Sequence, residues 1–421
     1  MGKSDILLER KYFQVCELIF VLKTFDIDQV KEGMFVDSIA KQQGKFKITS
    51  RGRITSEASI RQLKKKGILS VVVDMSKQLE PNVKKQAKPA PQPEKVELKT
   101  STELPEKVSF EEELEVAIKL HHEGKHLQET MLDSVDKNIP IDIATPEEFT
   151  KRIVSSIDRN PNALMCMTKI REKDTYLLEH SLNVAILLAN FGAHLGFDEE
   201  KIQELTLSGF LHDVGKIKIP DEILFKPGHL NEQEMTIMKE HVYYGMKVLV
   251  EMGIPDSIIT TIGEHHERLD GYGYPEGLRG DEITQFGRMI AIVDTYDAIT
   301  ADRCYKVGMS SKKALQILLE NAPGKYDEWL VTQFVHCIGI FPVGSLVRLD
   351  NEKIAIVLKQ NIGNATKPVV KVFYSIRGSY YLEPKELDLT AHNNSVKIID
   401  AVVASDFNLD IKKYFRESIV I

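Results

Sequence analysis

The sequence predicts a mainly α-helical protein, with a small α/β module before the helical part and a small β-rich module after it. Three observations carry this expectation. Helical patterning dominates from Val108 to about His336, a Pro/Lys/Glu-rich run precedes it, and alternating apolar runs follow Phe341. The 421 residues have room for two to four domains at about 150 residues each. A content of 43% apolar and 28% charged residues is ordinary for a globular chain.

In residues 1–77, ITSEASIRQLKKKG reads as a short helix stopped by Gly67. ILSVVVDM (68–75) reads as a buried strand, and EGMFVDSIA (32–40) alternates like a second one. Nothing in this accessory module looks catalytic. Residues 78–107 are rich in Pro, Lys and Glu with few large apolar residues, the composition of an extended linker.

Residues 108–139 form a helical connector, since SFEEELEVAIKLHHEGKHLQETML has the spacing of a charged amphipathic helix. The main helical domain spans 140–338. Thr145-Pro146-Glu147-Glu148 has the form of a capping box with proline at the first helical position. Asn231 and Glu234 mark the start of the helix expected to contain His241, and Pro255 opens the helix leading into HHERLDGYGYP. In the β-rich module, 339–421, the runs VRLDNEKIAIVLK and KVFYSIRGSYYLEP are interrupted by the turn pairs Asp350-Asn351 and Arg377-Gly378.

Composition removes several function classes. The net charge of -7 argues against nonspecific affinity for nucleic acid or anionic membrane. Cys16, Cys166, Cys304 and Cys337 are scattered, as reduced intracellular thiols are. VCELIFVL (15–22) is the nearest candidate for a membrane span and falls well short of the roughly 20 residues that cross a bilayer. The N-terminus lacks the order of a signal peptide, so a cytoplasmic location is expected.

The chemistry lies in the helical part, where His180, His212, Asp213, His241, His265, His266 and Asp294 recur. Ile258, Ile262 and His265 or His266 share one helical stripe, and His180 lies between Leu177 and Val184. Asp294 directly follows the apolar run MIAIV. Taken singly, each histidine reads as a hydrogen-bonded core residue. A buried carboxylate is costly unless paired, hydrogen-bonded or metal-bound, so the set together fits a metal centre better. Its nitrogen and oxygen donors suit iron, manganese, zinc or nickel. Adjacent residues on a helix point about 100° apart, so in His212-Asp213 the carboxylate can bridge two metals while the histidine binds one. Gly215 is expected to end that helix, and Lys216 offers either a cation to the site or a solvated charge at a helix C-terminus.

HDVGKIKIP, HHERLDGYGYPEGLRG and DTYDAITADRCYK together resemble the HD-GYP domain, a branch of the HD metal-dependent phosphohydrolases, over roughly residues 140–338. VKEGMFV resembles the accessory domain that often precedes HD-GYP, and FPVGSLVRL the extension that often follows it. The resemblance implies a helical HD-type metallophosphohydrolase domain and a bacterial enzyme that hydrolyses cyclic di-GMP to pGpG, and often on to GMP. It implies two divalent metal ions, iron or manganese, held by His180, His212, Asp213 and Asp294 on one side and His241, His265 and His266 on the other, with Asp213 shared. Some members carry a glutamate one turn before the first histidine and bind a third metal. Here that position is Tyr176, and Glu179 points about 100° away from His180, so a two-metal site is expected.

Asp213 and Lys216 are the catalytic candidates, and no side-chain nucleophile is needed. Asp297, Arg303 and Lys306 occupy positions of the family's substrate contacts, with surface solvation or a helix-end salt bridge as the plainer alternative, and Lys216 is counted among the substrate-binding residues for its charge. Tyr274 is read as a substrate contact, by stacking on guanine or bonding a phosphate, and Tyr272 as a residue that packs on a neighbouring helix. Two other functions stay open: a silent cyclic di-GMP sensor or scaffold, and a phosphodiesterase for another cyclic dinucleotide such as cyclic GMP-AMP. A homodimer through the helix at 108–132, or a signalling partner protein, is a further expectation.

Overall fold

The computed structural model describes residues 22–31, 34–42, 52–54, 57–74, 107–139, 141–169, 176–301, 308–361, 364–392 and 394–409. Nearly all of the expected linker and of VCELIFVL, with Cys16 and Cys304, lies outside these residues. The chain divides into two compact units between residues 99 and 100.

The first unit has a four-stranded antiparallel sheet of order β1-β4-β2-β3, from β1 (Leu22–Asp26), β2 (Phe35–Gln42), β3 (Gly52–Arg53) and β4 (Ile68–Asp74). β4 pairs with β1 and β2 on its two edges, which suits its nearly unbroken apolar run. α1 (Glu57–Lys65) precedes it, and Gly67, at φ 77°, turns the chain from helix to strand. Val36, Ile54, Ile68, Val71 and Val73 form the core.

The second unit is largely helical. α2 (Phe110–Asp136) starts at a capping box between Ser109 and Glu112. It packs against α3 (Ala144–Arg159), α4 (Pro161–Met167) and α5 (Tyr176–His194). Leu114, Ala117, Leu120, Met131 and Val135 are buried there. The buried Glu113 carboxylate holds Arg159 and the Ser156 hydroxyl of α3. The expected capping box at Thr145 does not form: α3 begins at Ala144, whose N–H donates to Asp142 Oδ1 at 3.1 Å. A charged acceptor two residues upstream takes the capping role.

α5 is the central helix. Val184 to Ala189 and Phe191 are at most 1% exposed, because neighbours cover it on several sides. α6 (Glu199–Leu211) packs on it closely: a Cβ on Gly209 would lie 3.0 Å from the Ala185 Cα. A 3-10 turn follows (Val214–Lys218). The Asn231–Glu234 capping box opens α7 (Glu232–Lys239), but this helix stops there, and His241 begins a separate helix, α8 (His241–Glu251). α9 (Asp256–Gly263) ends just before the paired histidines. α10 (Gln285–Thr300), α11 (Ser311–Lys325) and α12 (Glu328–Ile338) complete the helical part.

The chain closes with a five-stranded antiparallel sheet of order β8-β7-β6-β5-β9. Its strands are β5 (Leu346–Leu349), β6 (Lys353–Lys359), β7 (Val369–Ser375), β8 (Tyr380–Asp388) and β9 (Ile398–Val402). The turns at Asp350-Asn351 and Arg377-Gly378 fall where the sequence predicts them, between β5 and β6 and between β7 and β8. Among the described residues, no helix is long and apolar enough to cross a membrane.

Candidate metal centre

Five segments bring the seven histidines and carboxylates to one buried point. His180 comes from the first turns of α5, and His212 and Asp213 from the end of α6. His241 comes from the start of α8, His265 and His266 from the turn after α9, and Asp294 from mid-α10. Gly215 serves this convergence and does not end a helix, since α6 has already stopped at Leu211. A Cβ there would lie 2.0 Å from the His241 carbonyl oxygen and 2.3 Å from Gly245 N, so only glycine lets the 3-10 turn lie against α8.

The histidines are oriented by their own helix ends. Nδ1 of His212, His241 and His265 lies 2.8, 2.7 and 2.5 Å from the carbonyl oxygens of Gly209, Met238 and Ile262, each three residues upstream. These carbonyls are the orphan acceptors of a helix C-terminus. An Nδ1–H that donates to a carbonyl leaves Nε2 as a bare lone pair. The Nε2 atoms of His241 and His265 then face each other at 3.3 Å, acceptor to acceptor. His212 Nε2 and Asp213 Oδ1 are buried without a hydrogen-bond partner.

Asp213 lies between two groups. Its Oδ2 is 3.3 Å from His212 Nε2 and 3.6 Å from His180 Nε2, while its Oδ1 is 3.6 Å from His241 Nε2 and 3.9 Å from His265 Nε2. His180, His212 and Asp213 form one constellation suited to a metal, and His241, His265 and His266 another. Asp294 also reaches toward both, with Oδ1 2.9 Å from His180 Nε2 and Oδ2 3.7 Å from His266 Nδ1. Facing lone pairs, an unpaired buried carboxylate oxygen and an unpaired buried imidazole nitrogen are what bound cations would satisfy. The donor set therefore fits divalent metal ions.

Electrostatics agree with that fit. Burial lowers His241 to about 4 and His266 to about 3, and holds His265 well below its ordinary value. All three are thus neutral, as ligands must be. Asp213 and Asp294 stay ionised: burial alone would raise them, but neighbouring histidines, and for Asp213 also Lys216, outweigh it. His180 behaves oppositely. Burial lowers it, yet Asp294 and Asp297 together raise it to about 9.

Lys216 is partly exposed and places Nζ 2.5 Å from Asp213 Oδ2. Tyr274 stacks on His266, with ring centroids 4.6 Å apart at 36°, and Lys239 Nζ lies 5.0 Å from its centroid. Burial, with Asp294 and Asp213 nearby, raises Tyr274 and keeps its phenol protonated. Tyr272 departs from expectation: it is 82% exposed and packs on no helix. Asp297 departs too. Expected against substrate, it is fully buried, with Oδ2 2.8 Å from His180 Nδ1. Asp294 and Asp297 are three apart on α10 and share a face, so they clasp one imidazole from both sides. Arg303, Lys306 and the Tyr176 side chain lie outside the described residues. Glu179 turns away to pair with Lys125 at 3.0 Å.

Two buried glutamates beside the histidines escaped the sequence reading. Glu264 accepts from the backbone N–H of Thr284 at 3.0 Å and from its hydroxyl, tying the histidine turn to the start of α10. Glu267 accepts from the N–H groups of Glu276, Gly277 and Leu278 at 2.7, 3.0 and 3.0 Å. Their only signal in the sequence is a pair of acids bracketing an apolar-stripe histidine.

This helical scaffold, closing on buried histidines and a carboxylate shared between them, defines a metal-dependent phosphohydrolase of the HD class. The chain matches the HD domain family over residues 164–330, a domain of unknown function (DUF3391) over 22–145, and a KOW domain associated with HD domains over 346–409. It belongs to the HD-GYP branch of that family and is a phosphodiesterase. A cyclic di-GMP phosphodiesterase of Pseudomonas aeruginosa is 32% identical over 92% of this chain and 94% of its own length. A 3'3'-cGAMP-specific phosphodiesterase of Vibrio cholerae is 37% identical over 37% of this chain and 36% of its own. A cyclic di-GMP phosphodiesterase of Thermotoga maritima is 33% identical over 48% and 55%.

Proposed function

We propose that the chain hydrolyses the phosphodiester bonds of cyclic di-GMP, to pGpG and/or GMP, in cytoplasmic second-messenger signalling. Residues 140–338 are read as its catalytic domain. The observation that carries the mechanism is Asp213, a buried carboxylate with one oxygen toward each histidine group. His180, His212, Asp213 and Asp294 would hold one divalent ion, and His241, His265 and His266 the other, with Asp213 shared and iron or manganese as the metals. Such ions, when bound, supply an activated water and neutralise charge on the phosphoryl oxygens.

The chain's own groups do the rest. Asp213 stays ionised and orients the two halves of the centre. Lys216, at the edge between this centre and solvent, is a preorganised cation for the charge that builds up on phosphorus-bound oxygens. Tyr274 keeps its proton, so it offers both a ring face for a guanine and a donor for a phosphate oxygen. Arg303 and Lys306 are read as phosphate or guanine-edge contacts, where a planar guanidinium and a point charge serve different parts of the ligand.

The substrate reading rests on the P. aeruginosa relative, which spans nearly the whole chain. The V. cholerae relatives favour a second reading, cyclic GMP-AMP. Purified protein, handled anaerobically and loaded with iron or manganese, is expected to convert cyclic di-GMP to pGpG or GMP faster than it consumes cyclic GMP-AMP. A reversed preference would move the substrate assignment. Tight binding without turnover by the fully metallated protein would replace the enzyme with a sensor.

A further inference from the structure

We infer that Glu267 is a positioning residue for substrate recognition: its carboxylate is the internal template on which the Tyr274-bearing loop is folded. The inference rests on the proposed role of Tyr274 and extends it.

The loop from Glu267 to Gly280 closes on itself. Asp270 and Arg279 form an isolated antiparallel bridge, and Gly280 N donates to the Leu269 carbonyl at 3.1 Å. Within that ring the Glu267 side chain, 3% exposed, collects three consecutive N–H donors from the segment leaving the tyrosine. Oε1 takes Glu276 and Gly277, and Oε2 takes Leu278. Buried N–H groups need partners, and this segment finds them in one carboxylate instead of a sheet or helix.

Glu267 is also next in sequence to His266, so one short segment ties loop and metal centre together. Tyr274 N donates to the His266 carbonyl at 3.2 Å, and its ring lies on the His266 ring. The approach is close enough that a Cβ on Gly273 would lie 2.5 Å from the Glu267 Cα. From α8, the Tyr243 hydroxyl donates to Glu276 Oε1 at 2.7 Å and braces the outer side. The Tyr274 ring is therefore placed against the centre from the inside, by a carboxylate whose hydrogen bonds go to the loop backbone.

The decisive variant is Glu267→Gln, which keeps the shape but presents an amide NH2 where one set of N–H donors now finds an oxygen. Backbone hydrogen exchange at Glu276, Gly277 and Leu278 is expected to speed up, with the helices unchanged. A small aryl phosphodiester such as bis(p-nitrophenyl) phosphate needs the metals and no nucleobase contact, so its hydrolysis and the metal content should hold. The KM for cyclic di-GMP should rise, up to about 100-fold as misplaced contacts cost. In a Tyr274→Ala background, Glu267→Gln should add little further. Unchanged exchange at the three amides would overturn the inference. So would a parallel loss of metal and of both activities, or full additivity with Tyr274→Ala. Wild-type protein that cleaves the aryl diester but not cyclic di-GMP would overturn the substrate reading instead, and the exchange result would still decide the role of Glu267.

Discussion

Asp297→Asn separates two roles for a residue expected to touch substrate. Asp297 is fully buried with Oδ2 2.8 Å from His180 Nδ1, and Asp294 holds the other ring nitrogen at 2.9 Å. Asparagine keeps an oxygen that can accept from Nδ1–H but removes the charge that makes the imidazole a stronger ligand. Groups that orient a metal-binding histidine in this way typically contribute 10–100-fold in metal affinity, about 1.4–2.8 kcal/mol. The asparagine variant is expected near the lower end. Asp297→Ala, which strips this acceptor from a buried N–H, should lie near the upper end, since such a loss costs about 1–3 kcal/mol. Chelator competition with metal quantification reads the affinity, and circular dichroism checks the fold. In metal-free protein, NMR should also find His180 titrating lower than in the wild type, because one of the two carboxylates that raise it is gone. A raised KM for substrate with metal affinity unchanged in both variants would refute the positioning role.

Two further outcomes follow from the geometry. Gly215→Ala should destabilise the protein by about 1–3 kcal/mol or more, because the new methyl meets the backbone of His241 and Gly245, which cannot give way as a side chain can; thermal unfolding measures it, and an unchanged Tm contradicts it. In metal-free protein, His241 and His266 are depressed from 6.5 to about 4 and about 3, so the unfolded chain binds more protons below pH 6.5. Their contribution to stability is present above pH 6.5 and lost as pH falls toward those values. His180, raised to about 9, contributes oppositely, present below 6.5 and lost as pH rises through 9. Denaturant unfolding of chelated protein at pH 5 and 7 should find lower stability at pH 5, and a flat profile would count against neutral buried histidines.

Much of this was legible in the sequence because the signals were local. Gly67, the Asn231–Glu234 capping box and both hairpin turns mark element ends through their own backbone chemistry. His180, His265, His266 and Asp294 stood out because an ionisable residue in an apolar stripe is costly, and the resemblance to the HD-GYP domain completed the set of seven. What stayed hidden depends on what lies opposite in space. Whether Gly215 ends a helix or admits α8 is decided by the His241 backbone, which is 26 residues away. That Asp297 faces His180 and not solvent depends on α5 packing beside α10. The capping box at Thr145 does not form because the helix starts one residue earlier, at Ala144, whose N–H is taken by the Asp142 carboxylate. The roles of Glu264 and Glu267 depend on backbone partners up to 20 residues downstream.

The central claim is that Asp213 joins two metal-binding halves. Metal content of the purified protein beside Asp213→Ala tests it most directly. Two equivalents of divalent metal are expected in the wild type, with the variant losing metal from both halves, because each loses an oxygen ligand and the facing histidines lose the charge between them. An Asp213→Ala protein with the wild-type metal content would contradict it.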